Sequence, residues 1–103
     1  GEVFADWGIP TPECIAQLAG VEGLTIIGSG GIRTGVEAAK AMALGADLVG
    51  MAQPFLAPAL ESPERVAERI RRAIAEIRIA LLCAGARTPG EMKRVPVARR
   101  RLP

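Results

Sequence analysis

Two short apolar runs, Leu24–Gly28 and Leu48–Met51, are joined by one capped helical stretch, and each is followed by a loop marked by glycine or proline. These observations predict an α/β fold built on a βαβ unit, with the two strands parallel and the helix crossing between them. Two parallel strands with helices on them need neighbours at their free edges. The sequence therefore reads as the C-terminal part, about strands 7–8 and helices 6–8, of a (β/α)8 TIM barrel. The residue palette agrees: half of the 103 residues are apolar and only Phe4, Trp7 and Phe55 are aromatic, which leaves Ala, Leu, Ile and Val to build closely packed layers.

Taken in order, Glu2 to Thr11 is an irregular lead-in broken by Gly8 and Pro10, and its aromatics Phe4 and Trp7 are expected to pack on the neighbouring layer. Thr11 followed by Pro12 and Glu13 predicts an N-cap, a proline at the first helical position and an acid in the first turn. Ile15 and Leu18 give this helix its inner face, and Gly20 ends it. The run Leu24–Gly28 has the unbroken apolar character of a parallel strand buried on both faces. Thr34 and Glu37 have capping-box spacing, so a helix is expected from Gly35 to Leu44, closed by Gly45. Val36, Ala39 and Ala43 lie at helical spacing and are small enough to bring it close to a sheet.

The second strand, Leu48 to Met51, leads into the loop Ala52–Pro54. Phe55 to Leu60, with Pro58 inside it, has room for a turn or two of helix. Ser62, Pro63 and Glu64 then repeat the signals of a helix start, and a long helix runs to about Ala84 with Gly85 at its end. Val66, Ile70, Ile74, Ile77 and Leu81 form an apolar stripe suited to packing on a sheet. Glu68, Arg72 and Glu76 stand four apart on another face and are expected to pair, at about 0.3 kcal/mol per pair.

The loop after the first strand is where chemistry is expected. Gly28, Gly30 and Gly31 free the chain to turn with positive φ and let main-chain N–H groups approach a ligand. With a helix start just beyond, the natural occupant is a phosphate. The plain alternative is a tight strand-to-helix turn that binds nothing, but three glycines and an arginine exceed what a connection needs. The spacing is not the Gly-x-Gly-x-x-Gly of dinucleotide-binding folds, and no Gly-Lys-Ser/Thr follows as in a P-loop. In a (β/α)8 barrel a ligand phosphate is often held by the loops after strands seven and eight and by a short extra helix. The glycine loop, Ala52–Pro54 and Phe55–Leu60 occur here in that order.

Charge is unevenly spread. From Arg87 onward six basic residues face one acid, Glu91, whereas residues 1–86 carry three more acids than bases. With no aromatic residues for base stacking, the basic end is expected to be a solvated tail, and no nucleic-acid partner is implied. Cys14 and Cys83 lack metal spacing and are expected to be two buried thiols of a reducing compartment. No signal peptide or membrane-spanning run is evident, so a soluble cytoplasmic protein is expected. The chain opens at Gly1 with no capped element, and the expectation is a piece of a longer polypeptide.

Ser29-Gly-Gly-Ile-Arg-Thr-Gly35, with Ala38-Ala-Lys-Ala41 and Leu44-Gly-Ala-Asp47, is similar to the flavin-phosphate segment of FMN-dependent barrel enzymes, including the 2-hydroxyacid oxidases. Phe4-Ala-Asp-Trp-Gly-Ile-Pro-Thr11 and Gly50-Met-Ala-Gln-Pro-Phe-Leu56 narrow this to a resemblance to the type 2 isopentenyl-diphosphate delta-isomerase family. The resemblance divides the chain into a C-terminal segment of an FMN-binding barrel, 1–86, and a basic tail, 87–103. It implies interconversion of isopentenyl and dimethylallyl diphosphate with reduced FMN, NADPH to keep it reduced, and Mg²⁺ on the diphosphate. It also implies that the remainder of the barrel is a partner and that the protein is a homo-oligomer. Gly30, Gly31, Ile32 and Arg33 match the first phosphate-contacting loop, and Ala52 and Gln53 the second. Trp7 falls where a residue lines the active-site mouth, with simple packing the alternative. The oxidases carry a catalytic His shortly before the glycine strand, and this sequence has no His. No catalytic residue and no metal ligand is assigned here; a non-catalytic phosphate-binding segment is the remaining alternative.

Overall fold

The computed structural model describes residues 8–98, so the expectations for Phe4 and Trp7 lie outside the described residues. Helix α1 (Thr11–Leu18) leads to strand β1 (Ile27–Ser29), helix α2 (Gly35–Leu44) and strand β2 (Leu48–Gly50). A 3-10 turn at Gln53–Phe55 then runs into α3 (Leu56–Glu61), the long α4 (Pro63–Ala84) and the short α5 (Pro89–Met92). β1 and β2 pair in parallel, with Ile27 opposite Leu48, Gly28 opposite Val49 and Ser29 opposite Gly50.

The strands are shorter than their apolar runs, and they are not covered on both faces. Gly28 is buried between Ile15 and Ala46, where an added Cβ would stand 2.9 Å from Ile15 Cδ1. Its φ is not positive; glycine is required there by close packing rather than by a turn. On the other face Ile27 and Leu48, side by side in the register, are 63% and 57% exposed. Among the described residues the helices supply only one layer.

α1 begins on Pro10 as N-cap, with no side-chain cap. Thr11 does not cap it, because the helix starts one residue earlier than expected and Thr11 is its first residue; its hydroxyl donates instead toward the carbonyls of Ser29 and Gly30. Ile15 is buried as expected, whereas Leu18 lies exposed. α2 keeps its Thr34 cap: the hydroxyl accepts the Glu37 N–H at 3.1 Å, an arrangement that stabilises a helix by about 1 kcal/mol. The Glu37 carboxylate accepts from the Thr34 hydroxyl instead of its N–H. Ala38, Ala39, Ala41 and Met42 form the buried face and Val36 is exposed. Gly35 itself meets α4, since an added Cβ would fall 2.5 Å from the Ala73 carbonyl oxygen and 2.7 Å from the Ile77 nitrogen.

That contact corrects the expected stripe on α4. The helix packs against α2, α3 and α5 rather than on a sheet. Its inner face is Ala73, Ile77 and Leu81, while Ile70 and Ile74 remain 44% and 43% exposed. Small residues face α2 because the two backbones come too close for larger ones. The expected Glu68–Arg72–Glu76 ladder is also replaced: Arg65 pairs with Glu61 and Glu68, and Arg69 with Glu76. The Arg65 pairs are exposed and stabilise by no more than about 1 kcal/mol each.

Beyond Gly85 most residues up to Arg94 are exposed, but Ala86, Met92 and Val95 tie the stretch to the body of the molecule. Ala86 and Met92 are buried with Ala39, Met42 and Leu81. The Thr88 hydroxyl caps α5 by accepting the Glu91 N–H at 3.1 Å, and Glu91 accepts the Arg87 N–H at 2.8 Å. Lys93 pairs with Asp47 at the amino end of β2. Neither cysteine is buried: Cys14 is half-buried and Cys83 exposed, because Cys83 falls on the outer side of α4.

Candidate functional site

The connections that leave the carboxyl ends of β1 and β2 lie side by side. Together they line a cleft of about 230 Å³ whose walls include Gly30, Gly31, Ile32, Arg33, Ala52 and Gln53. All six residues singled out in the sequence are thus brought together, with Ser29, Gly50 and Met51 between them.

The first loop is shaped by glycine at two positions. Gly30 and Gly31 have φ of +101° and +74°, a region that costs a residue with a side chain roughly 1–2 kcal/mol. A Cβ on Gly31 would meet nothing within 4 Å, so the side of the chain that it would occupy is open. Ile32 is turned the other way, 8% exposed, with its side chain in the core beside Ile15 and Ile26. Only its backbone is available to a ligand.

The carbonyls of this loop are held from behind. Thr11 Oγ1 donates to Ser29 O at 3.1 Å and to Gly30 O at 2.9 Å. At the other end Arg69 Nη2 donates to Arg33 O at 2.8 Å. No loop carbonyl or side chain among the described residues takes the N–H groups of Gly31, Ile32 and Arg33, or those of Ala52 and Gln53, whereas the Gly30 N–H lies at the end of the β1–β2 ladder, facing Gly50. An anion in the cleft would supply the missing acceptors, and the chemistry of this donor set fits a phosphate. The Arg33 guanidinium, exposed beside it, forms no ion pair among the described residues.

The amino end of α2 contributes less than expected. The Gly35 N–H goes to Glu76 at 3.4 Å, the Glu37 N–H to the Thr34 hydroxyl and the Ala38 N–H to the Thr34 carbonyl. Most of the first-turn donors are spent within the chain, so the loop ahead of the helix carries the free ones. A second cleft of about 200 Å³ opens on the other side of the loop, between α1 and α2. Its walls include Ile15, Ala41 and Leu44 with Glu37 and Lys40, one acid and one base, so it carries no net charge to attract an anion.

Arg69 and Glu76 were not legible as site residues, for nothing local marks them on a helix rich in both types. The α5 cap was legible in Thr88-Pro-Gly-Glu91, which has capping-box spacing with proline at the first helical position. No helix of the described residues is long and apolar enough to cross a membrane, and no group of three or more His, Cys, Asp or Glu among them is placed to hold a metal ion.

Fold and site together define a parallel β/α segment whose two strand-to-helix loops meet on one cleft at the carboxyl ends of its strands. The sequence pattern of the FMN-dependent dehydrogenases matches residues 8–99, and the chain belongs to that family. It is 49% identical over 94 residues to the isopentenyl-diphosphate delta-isomerase of Methanoregula boonei, covering 91% of this chain and 26% of the relative. The enzymes of the same name from Pyrobaculum islandicum and Sulfurisphaera tokodaii are 50% and 42% identical, over 92% and 93% of this chain and 26% of each relative. The chain spans about a quarter of the length of these curated relatives.

Proposed function

We propose that the protein containing this chain is an FMN-dependent isomerase that interconverts isopentenyl and dimethylallyl diphosphate, and that this segment holds the FMN phosphate. The observation that carries the reading is the meeting of two loops, from successive parallel strands, on one cleft, with the N–H groups of Gly31 to Arg33, Ala52 and Gln53 given no loop or side-chain acceptor among the described residues. In this reading the backbones of Gly30, Gly31, Ile32, Arg33, Ala52 and Gln53 bind the phosphate, and the Arg33 guanidinium balances its charge. Bound there, reduced FMN would supply the reactive ring, while the chain's own residues fix the phosphate and contribute no reacting group.

β1 and β2 serve as strands 7 and 8 of a (β/α)8 barrel. The exposed pair Ile27 and Leu48 supports this, since residues pointing away from the helix layer would meet side chains of the other strands inside a closed barrel. NADPH as reductant, a cytoplasmic location and a homo-oligomeric state belong to the same proposal. Mg²⁺ on the diphosphate, with its ligands in the rest of the barrel, belongs to it as well. The family description, a dehydrogenase, favours an oxidoreductase as second reading.

A visible absorption spectrum of the full-length protein tests the proposal. Flavin bands, with FMN released on denaturation, are expected, together with conversion of isopentenyl to dimethylallyl diphosphate. Flavin without that conversion points to the oxidoreductase. A colourless protein that takes up no added FMN overturns both.

A further inference from the structure

We propose that Arg69 is a positioning residue that holds the two phosphate loops in one register, an inference that rests on reading the cleft as the FMN-phosphate site. Arg69 does not line the cleft; it reaches it from behind, out of α4. Its Nη2 donates to the carbonyl of Arg33, the last residue of the first loop, at 2.8 Å. Its guanidinium carbon also lies 5.9 Å from the centroid of the Phe55 ring. Phe55 closes the 3-10 turn that begins at Gln53, so one planar cation touches the end of the first loop and the turn that carries the second.

Glu76 fixes that cation. Its Oε1 stands 3.7 Å from Arg69 Nη1 and accepts the Gly35 N–H at 3.4 Å, tying the pair to the first residue of α2. The two side chains are only 17% and 26% exposed, unlike the Arg65 pairs on the same helix. Arg69 Nη1 is buried without a hydrogen bond, which makes the residue a costly choice if its role were only to join helices. What it does achieve is to fix one peptide plane: in a trans peptide, holding the Arg33 carbonyl sets the direction of the Thr34 N–H on the opposite side. With Thr11 holding the Ser29 and Gly30 carbonyls, the loop is clamped at both ends through its oxygens, and its N–H groups are left for the ligand.

The test compares FMN with riboflavin, which lacks the phosphate, by flavin-fluorescence titration of the full-length protein. Arg69→Gln is expected to weaken FMN binding about tenfold, the scale typical of losing a supporting residue, while riboflavin affinity stays within about twofold. Arg69→Lys keeps the charge and a stem over Phe55 but cannot reach Arg33 and Glu76 together. It is expected to lose FMN about threefold at unchanged riboflavin affinity, and it decides the matter if Arg69→Gln does not fold. Variants that retain the wild-type preference for FMN, or that lose both flavins in equal proportion, overturn the positioning role and leave the phosphate site standing. A wild-type protein with no preference for FMN over riboflavin overturns the site, and the positioning role with it.

Discussion

At the amino ends of β1 and β2, Asp47 accepts the Ile26 N–H at 2.8 Å and pairs with Lys93, while the Ile26 carbonyl takes the N–H groups of Asp47 and Leu48. At the carboxyl ends the loop carbonyls are held by Thr11 and Arg69, but no loop carbonyl or side chain among the described residues takes the N–H groups from Gly31 to Arg33 or those at Ala52 and Gln53. The same two strands are thus closed at one end and open at the other. Most of the residues at the open end are exposed, so their donors meet water at little cost and remain available to a ligand, whereas those at the other end are spent on holding the strands together. This is the division of labour known for parallel β/α barrels.

The largest expected effect comes from damaging the open end. Gly31→Val places a branched residue at a φ of +74° with its side chain on the open side of the loop. In the full-length protein FMN should bind about a hundredfold more weakly or not at all, from backbone strain and lost amide contacts together, with the circular dichroism spectrum unchanged. Unaltered flavin content in the purified variant would sink the assignment of the open end to a phosphate.

An intermediate effect of a different kind is expected at the closed end. The hydrogen bond from Lys93, then that from the Ile26 N–H, holds the Asp47 carboxyl below the usual carboxylate range. A carboxyl with a depressed folded pKa stabilises the protein above its unfolded pKa, and that contribution fades as the pH falls through the folded value. Asp47→Asn should therefore lower Tm at neutral pH with FMN affinity unchanged. The gap from wild type should close on acidification below about pH 4, near the ordinary Asp pKa. A constant gap down to acid pH, or a parallel loss of flavin, would dissolve the contrast between the ends.

The smallest effect sharpens the comparison. If the backbone of the second loop is what binds, Gln53→Ala should change FMN affinity by no more than about twofold, because the N–H survives the substitution. A tenfold loss in a fluorescence titration would move the work from the peptide to the side chain.

What was legible in the sequence is what local chemistry decides. Thr34 and Ser62 cap their helices, Gly45 and Gly85 end theirs, and the six loop residues lie on one cleft as their places after the strands imply. What was not legible depends on partners far along the chain. Thr11 looks like an N-cap until it is seen beside Ser29; Arg69 is one arginine among several until α4 crosses behind Arg33. Lys93 belongs to a basic end whose composition says solvent, yet Met92 beside it is buried against α2 and α4, and burial of one apolar side chain is enough to bring the lysine to Asp47. The inner face of α4 differs from its apolar stripe for a related reason. Hydropathy favours Ile70 and Ile74, but the backbone of α2 at Gly35 admits only something as small as Ala73.

Hydrogens on unpaired amides trade places with those of water far faster than hydrogens locked in a ladder. The stretch from Gly31 to Arg33 is on that account a fast-exchanging island set between a strand and a capped helix, while Ile26, a few residues upstream, stays shielded by Asp47. Whatever settles in the cleft slows the island and leaves Ile26 as it was, so the loop carries a record of its own occupancy in the rate at which it forgets its protons.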